Sequence, residues 1–103
     1  MAQRMELETA LLSGVPVGIG QSALCDVCGH EMHPNDNVEI IVLLEGTTID
    51  LVTTRCKSCA RGELHRDTRR SCWLATGTLA GSIDSAGHSR IILAGARVKD
   101  RTE

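Results

Sequence analysis

Four of the five cysteines in this chain of 103 residues form two Cys-x-x-Cys pairs, which constrain the fold more than any other feature. Cys25 and Cys28 form the first pair, Cys56 and Cys59 form the second, and the segment 29–55 separates them. Two residues between cysteines let the backbone turn tightly enough for both sulfurs to face one ion at about 2.3 Å. The spacing therefore predicts one structural Zn²⁺ held by four thiolates, with no open position for a substrate.

The residues that follow each pair predict how the chain turns at the metal. Gly29 comes directly after Cys28 and can adopt a positive φ, which closes a tight knuckle without a Cβ clash. The stretch from Cys59 to Arg66 has no glycine in that position, and we interpret it as a short helix whose first turn carries ligands, although Gly62 weakens a helix. A knuckle, a hairpin and a ligand-bearing helix describe a treble clef, which we favour. A second knuckle in place of the helix would make the site a zinc ribbon.

Other uses of cysteine fit the sequence less well. Disulfides need an oxidising compartment, and residues 1–12 lack the continuous apolar run of a signal peptide. A thioredoxin-like centre uses one Cys-x-x-Cys motif in a βαβ setting, which the pattern does not predict. An iron–sulfur cluster on the same four thiolates stays open, because spacing alone does not distinguish it from zinc. The fifth cysteine, Cys72, is expected to be a small buried residue beside Trp73.

Length and composition predict a single domain, residues 1–103, with an aliphatic core. Trp73 is the only aromatic residue, and the formal net charge is −2. A chain of this length can bury a modest core, which a metal ion would reinforce. No apolar run approaches the length of a membrane span, so we expect no membrane association and a cytoplasmic protein whose thiols stay reduced.

The apolar pattern predicts an α+β fold with two β-hairpins and one or two short helices. Residues 1–13 have helical periodicity and end before Gly14 and Pro16, which are helix-stopping signals. Residues 24–70 would form the zinc-bound hairpin and helix, with Val38, Ile40, Val42 and Leu44 on one face of a strand. Ile41 and Leu43 on the other face predict that the N-terminal helix or another subunit covers that side too. Residues 71–99 would form the C-terminal hairpin, with a bulge at Gly77 and an inner face of Ile92, Ala94, Ala96 and Val98.

Several motifs occur together in a recognisable order: the lead Gly14–Gly18, the knuckle from Cys25 to Gly29, the pair Cys56 and Cys59, the hairpin around Gly77, and the closing strand Ser89–Val98. Together they resemble small uncharacterised zinc-finger proteins of haloarchaea and their mobile elements. The resemblance covers most of the chain, from about residue 11 to residue 98. It implies a structural zinc ion and a cytoplasmic location, and it implies no reaction. The chain departs from it in charge, since halophilic proteins are usually far more acidic.

Two classes of function remain after the zinc site is set aside as structural. The first is a protein-interaction or regulatory module, which we favour because apolar hairpin surfaces in so small a chain could bind a partner protein or a second copy. The second is a nucleic-acid-binding regulator that would use a basic segment after the second cysteine pair. Its candidate contacts are Arg61, His65, Arg66, Arg69 and Arg70. The chain has no aromatic stacking platform, and this segment also contains acidic residues. Both observations favour the first class. We expect no enzyme activity, because a four-thiolate zinc leaves no position for water.

Overall fold

The computed structural model describes residues 12–20, 22–46, 48–62, 64 and 71–102, and these residues form a mostly antiparallel β structure. The strands are β1 (Pro16–Ile19), β2 (Ala23–Leu24), β3 (Glu31–Met32), β4 (Asn37–Glu45), β5 (Thr48–Cys56), β6 (Cys72–Ile83) and β7 (Ser89–Arg101). Five of them form an antiparallel sheet in the order β1-β7-β6-β4-β5, and β2 pairs with β3 in a separate small hairpin.

The predicted α+β class is wrong, since the fold is an antiparallel β structure. Within the described ranges the helical backbone is limited to a short 3-10 turn, Lys57–Cys59, and to Leu12. Ala60 follows it with extended backbone (φ −62°, ψ 135°), and Gly62 has φ +77°. The helix predicted to carry the second ligand pair therefore ends at Cys59, which removes the element that defines a treble clef. The N-terminal helix predicted over residues 1–13 lies outside the described residues, apart from its last two.

The first predicted hairpin is confirmed. β4 and β5 pair along their whole length, from Val38 opposite Cys56 to Glu45 opposite Thr48. Gly46 lies in the turn with φ +60°, a conformation that tight hairpin turns require and glycine adopts freely. The pairing shifts by one residue between Ile41 and Val42, and this shift leaves Val52 as an extra residue on β5.

The second predicted hairpin is also present, but its inner face differs from the prediction. β6 pairs with β7, and the register shifts around Gly77, between Thr76 and Thr78. The extra residue is on β7, where Gly95 has φ +60°. A strand reverses the orientation of its side chains at a bulge. Ile91 and Leu93 are therefore buried before the bulge and Ala96 after it, whereas Ile92 and Ala94 are only partly buried.

Apolar residues cover both faces of the sheet. One face carries the larger cluster, which includes Val38, Ile40 and Val42 of β4 together with Leu12 and Met32. Ile41 and Leu43 on the opposite face pack against a smaller cluster of buried residues: Leu64, Cys72 and Leu74. This face is covered, as predicted, but the described residue that covers it from outside the sheet is Leu64, from the segment after the second cysteine pair, whereas the prediction named the N-terminal helix or another subunit. Cys72 is buried there, as predicted.

No helix in the described part of the chain is long and apolar enough to cross a membrane.

Candidate metal centre

The two cysteine pairs occupy tight turns on separate parts of the fold. Cys25 and Cys28 lie in the turn of the β2–β3 hairpin, while Cys56 ends β5 and Cys59 ends the 3-10 turn. In the first turn the Gly29 N–H donates to the Cys25 carbonyl oxygen at 2.9 Å, and the Cys25 N–H donates to the His30 carbonyl oxygen at 3.0 Å. Gly29 has φ +72°, the conformation predicted for the residue that closes the knuckle.

A pair of hydrogen bonds attaches the first knuckle to β5, directly before the second cysteine pair. The Asp26 N–H donates to the Thr54 carbonyl oxygen at 2.8 Å, and the Thr54 N–H donates to Asp26 Oδ2 at 2.7 Å. Asp26 follows Cys25 in the chain, and Thr54 comes two residues before Cys56. The two bonds therefore fix the distance between the pairs without any contribution from a metal ion.

The four sulfurs lie close enough together to hold one metal ion. The Sγ atoms of Cys25, Cys28, Cys56 and Cys59 all lie within 4.8 Å of one another. Cys28 Sγ and Cys56 Sγ, from different pairs, are 3.7 Å apart. A tetrahedron whose corners lie about 2.3 Å from its centre has edges of about 3.8 Å. A disulfide bond would bring two sulfurs to about 2.05 Å, and all five cysteines are free thiols.

Each pair contributes one sheltered sulfur and one that is more open to solvent. Cys25 and Cys56 are buried, Cys59 is half-buried and Cys28 is exposed. Burial raises the pKa of the Cys25 thiol, but hydrogen bonds from the backbone N–H groups of Cys28, Cys56 and Val27 outweigh it and lower the pKa to about 6. The neighbouring sulfurs of Cys28 and Cys56, followed by burial, raise the pKa of Cys59 to about 12. Four thiols this close cannot all ionise unless a cation compensates their charge.

A buried carboxylate beside the centre, which the sequence did not single out, organises the segment after Cys59. Glu39 is only 1% exposed, and its Oε1 accepts a hydrogen bond from Arg55 Nη1 at 2.9 Å. Oε1 also accepts from the Arg61 N–H at 3.1 Å, and Oε2 accepts from the Gly62 N–H at 2.8 Å. One side chain therefore holds β5 and the chain beyond the 3-10 turn against β4.

In the sequence, Glu39 is distinguished only as a single acidic residue inside an otherwise apolar strand. Alternation places Glu39 on the same face as Ile41 and Leu43, opposite Val38, Ile40 and Val42. It is buried because residues after Cys59 fold over that face. Burial would raise the pKa of Glu39, but the N–H groups of Arg61 and Gly62 and the guanidinium of Arg55 keep it below its ordinary value. Such an arrangement depends on a long-range contact, so no local pattern predicts it.

The structure describes one member of the predicted basic segment. The Arg61 side chain is exposed, and its backbone contacts Glu39. The remaining predicted contacts lie outside the described residues: His65, Arg66, Arg69 and Arg70. The two histidines near the first knuckle, His30 and His33, are exposed, and His33 Nε2 lies 3.4 Å from Glu31 Oε1.

Comparison with known proteins does not assign the chain to a family. No protein-family model, no curated protein and no solved structure matches the chain. The resemblance to haloarchaeal zinc-finger proteins is therefore unsupported and stays a prediction. The fold and the four-cysteine cluster are what define the protein: a small antiparallel β structure with a possible metal site at one end of its sheet.

Proposed function

We propose that Cys25, Cys28, Cys56 and Cys59 bind one structural Zn²⁺ and that the chain is a zinc-stabilised protein-interaction module. The observation that carries the proposal is the spacing of the four sulfurs, which come from two separate turns and lie within 4.8 Å of one another. Four thiolates in a tetrahedral arrangement favour zinc or an iron–sulfur cluster over harder metals. The 3.7 Å separation of Cys28 and Cys56 fits a single ion at the centre.

A structural role follows from the ligand count and from what the ligands connect. Four protein ligands complete the usual coordination of zinc, which leaves no position for a reacting water. The ion would join the β2–β3 hairpin to the end of β5, two elements that otherwise share few backbone bonds. Within the described residues, no second group of three or more metal-binding side chains lies close together. These points support a binding module rather than a metalloenzyme.

Nucleic-acid binding by the segment after Cys59 stays a prediction. Of its five candidate residues, only Arg61 belongs to the described part of the chain, and one exposed arginine does not make an interface. We therefore base the proposal on protein binding, for which the sheet itself supplies surface.

Metal analysis of the purified protein tests the zinc assignment. We expect one zinc per chain in the wild type and in Cys72→Ser, because Cys72 lies in the smaller apolar cluster away from the four sulfurs. Cys25→Ser and Cys56→Ser should lose the metal. Removal of zinc with a chelator should unfold the domain, since metal binding in small zinc-dependent folds contributes about 10–16 kcal/mol. Iron and sulfide in place of zinc, or a chelated protein with unchanged stability, would contradict the proposal.

A further inference from the structure

The two edge strands of the main sheet form the walls of one groove. β1 and β5 are the first and last strands in the sheet order, and β2 packs against both of them. The groove between them has a volume of about 720 Å³. Val17 and Gly18 line it from β1, Leu24 from β2, and Leu51 and Val52 from β5. The groove therefore lies between the two edge strands of the sheet, beside β2.

The β5 wall of this groove offers backbone hydrogen-bonding groups. At its far end Thr54 is already occupied, because its N–H and carbonyl oxygen bond to Asp26. Between Thr48 and Val52, no hydrogen bond to any segment beyond the β4 ladder is found among the described residues. An edge strand with unpaired N–H and C=O groups can accept a further strand.

Two apolar side chains that line the groove, one from β2 and one from β5, are unusually open to solvent. Leu24 is 62% exposed and Val52 is 56% exposed, and both line the groove. Val27, in the adjacent knuckle, is 58% exposed. Val52 is the extra residue at the β5 bulge, so it has no partner on β4. Exposed apolar residues that cluster around one groove indicate a surface for a partner.

The charge of the groove restricts the kind of partner. Its charged lining residues are Asp26 and Glu31, and no cation is among the described residues that line it. His33 is the nearest basic partner described for Glu31, at 3.4 Å. Complementary charge steers association and excludes wrong partners, so an acidic groove favours a basic segment and disfavours nucleic acid.

We propose that this groove binds an extended segment of a partner protein in which apolar and basic residues alternate, and that the segment adds as a strand to the Thr48–Val52 edge of β5. The apolar side chains of the segment would contact Leu24 and Val52, and its basic side chains would face Asp26 and Glu31. The inference rests on the proposed function, because the metal-binding knuckle holds the β2–β3 hairpin that forms part of the groove.

Titration of the zinc-loaded, isotope-labelled full chain with an acetylated peptide of alternating valine and lysine tests this. We expect the peptide to shift the amide signals of Thr48–Val52 and to slow their hydrogen exchange. Val52→Lys should weaken binding at least about tenfold, since it removes an apolar contact and repels the peptide. The matched control is Ile83→Lys, which changes another exposed apolar residue (71% exposed) away from this groove and should leave the affinity unchanged. A valine–glutamate peptide should not bind.

Several results would overturn the groove assignment. One is no binding of the valine–lysine peptide to the zinc-loaded protein, and another is an Ile83→Lys variant that weakens binding as much as Val52→Lys. Equal binding of the valine–glutamate peptide would remove the argument from charge. Concentration-dependent self-association that Val52→Lys abolishes, without peptide binding, would make a second copy the occupant. Zinc content is measured on the same samples. A metal-free folded chain that still binds the peptide would overturn the zinc assignment alone.

Discussion

Glu39 and Arg55 face each other across the β4–β5 hairpin as directly paired residues, and their side chains meet at 2.9 Å in a nearly dry environment. The Glu39 side chain is 1% exposed and that of Arg55 is 13% exposed. The same carboxylate accepts hydrogen bonds from the backbone of Arg61 and Gly62. The Glu39 carboxylate therefore connects the hairpin to the segment that follows Cys59.

Glu39→Gln should destabilise the protein strongly. The substitution keeps the shape of the side chain but leaves the buried Arg55 guanidinium without its counter-charge, which typically costs about 3–5 kcal/mol. Urea denaturation of the zinc-loaded protein measures the loss. Glu31→Gln is the matched control, because it removes an exposed pair with His33 that is worth about 0–1 kcal/mol. Equal losses in the two variants would contradict the role given to Glu39.

The contribution of Glu39 should depend on pH. Its pKa in the folded protein lies below the ordinary value of about 4.3 that it regains on unfolding. A carboxyl group with a lowered pKa stabilises the fold fully above that ordinary value, and the stabilisation is lost as the pH falls through the folded-state pKa. The difference in free energy of unfolding between wild type and Glu39→Gln should therefore be constant at neutral pH and shrink in acid. Both proteins carry the same cysteines, so with excess zinc any loss of metal to acid affects both. A difference that stayed constant into acid would exclude this linkage.

Asp26→Ala should loosen the attachment between the first knuckle and β5. The change leaves the buried Thr54 N–H without its acceptor, at a cost of about 1–3 kcal/mol. We expect lower stability and faster release of zinc to a chelator, because the two cysteine pairs are then held together mainly by the ion. Asp26→Asn keeps an amide oxygen that can accept the same bond, so it should remain close to wild type. Release rates that are the same in all three proteins would show that the attachment does not hold the metal centre together.

Gly77→Ala should disturb the register of the second hairpin. A Cβ at this position would lie 2.7 Å from both the Ala94 carbonyl oxygen and Leu93 Cδ1, so the backbone of β7 would have to move. Overpacking of this kind typically costs about 1–3 kcal/mol. Gly81→Ala in the same strand is the control, since the nearest described atom to its Cβ would be a Pro34 side-chain carbon at 3.9 Å, an ordinary van der Waals contact. Thermal denaturation should separate the two variants, and identical midpoints would argue against the close approach.

The sequence predicted those features that depend on spacing and alternation. The cysteine pairs and Gly29 are local signals, and the structure brings the four sulfurs together. The alternation from Val38 to Leu43 likewise predicted a strand with two covered faces. Predictions from local pattern were wrong where single residues changed the backbone geometry. Gly62 and the extended backbone at Ala60 end the turn that was expected to become a helix. Gly95 reverses which side chains of β7 face inward. Glu39 could not be assigned from sequence, because its burial depends on a segment far from it in the chain.

The unequal shelter of the four sulfurs has a consequence for how metal enters and leaves. Cys25 and Cys56 are buried and supply the inner sulfurs, whereas Cys28 and Cys59 lie nearer to solvent and supply the outer sulfurs. A metal carrier or a chelator would therefore meet an outer sulfur first and could exchange ligands there one at a time. The hydrogen bonds between Asp26 and Thr54 would keep the inner sulfurs in place during such a transfer. The first step of metal release can then take place on the folded, metal-bound chain, at a rate set by access to Cys28 rather than by global unfolding.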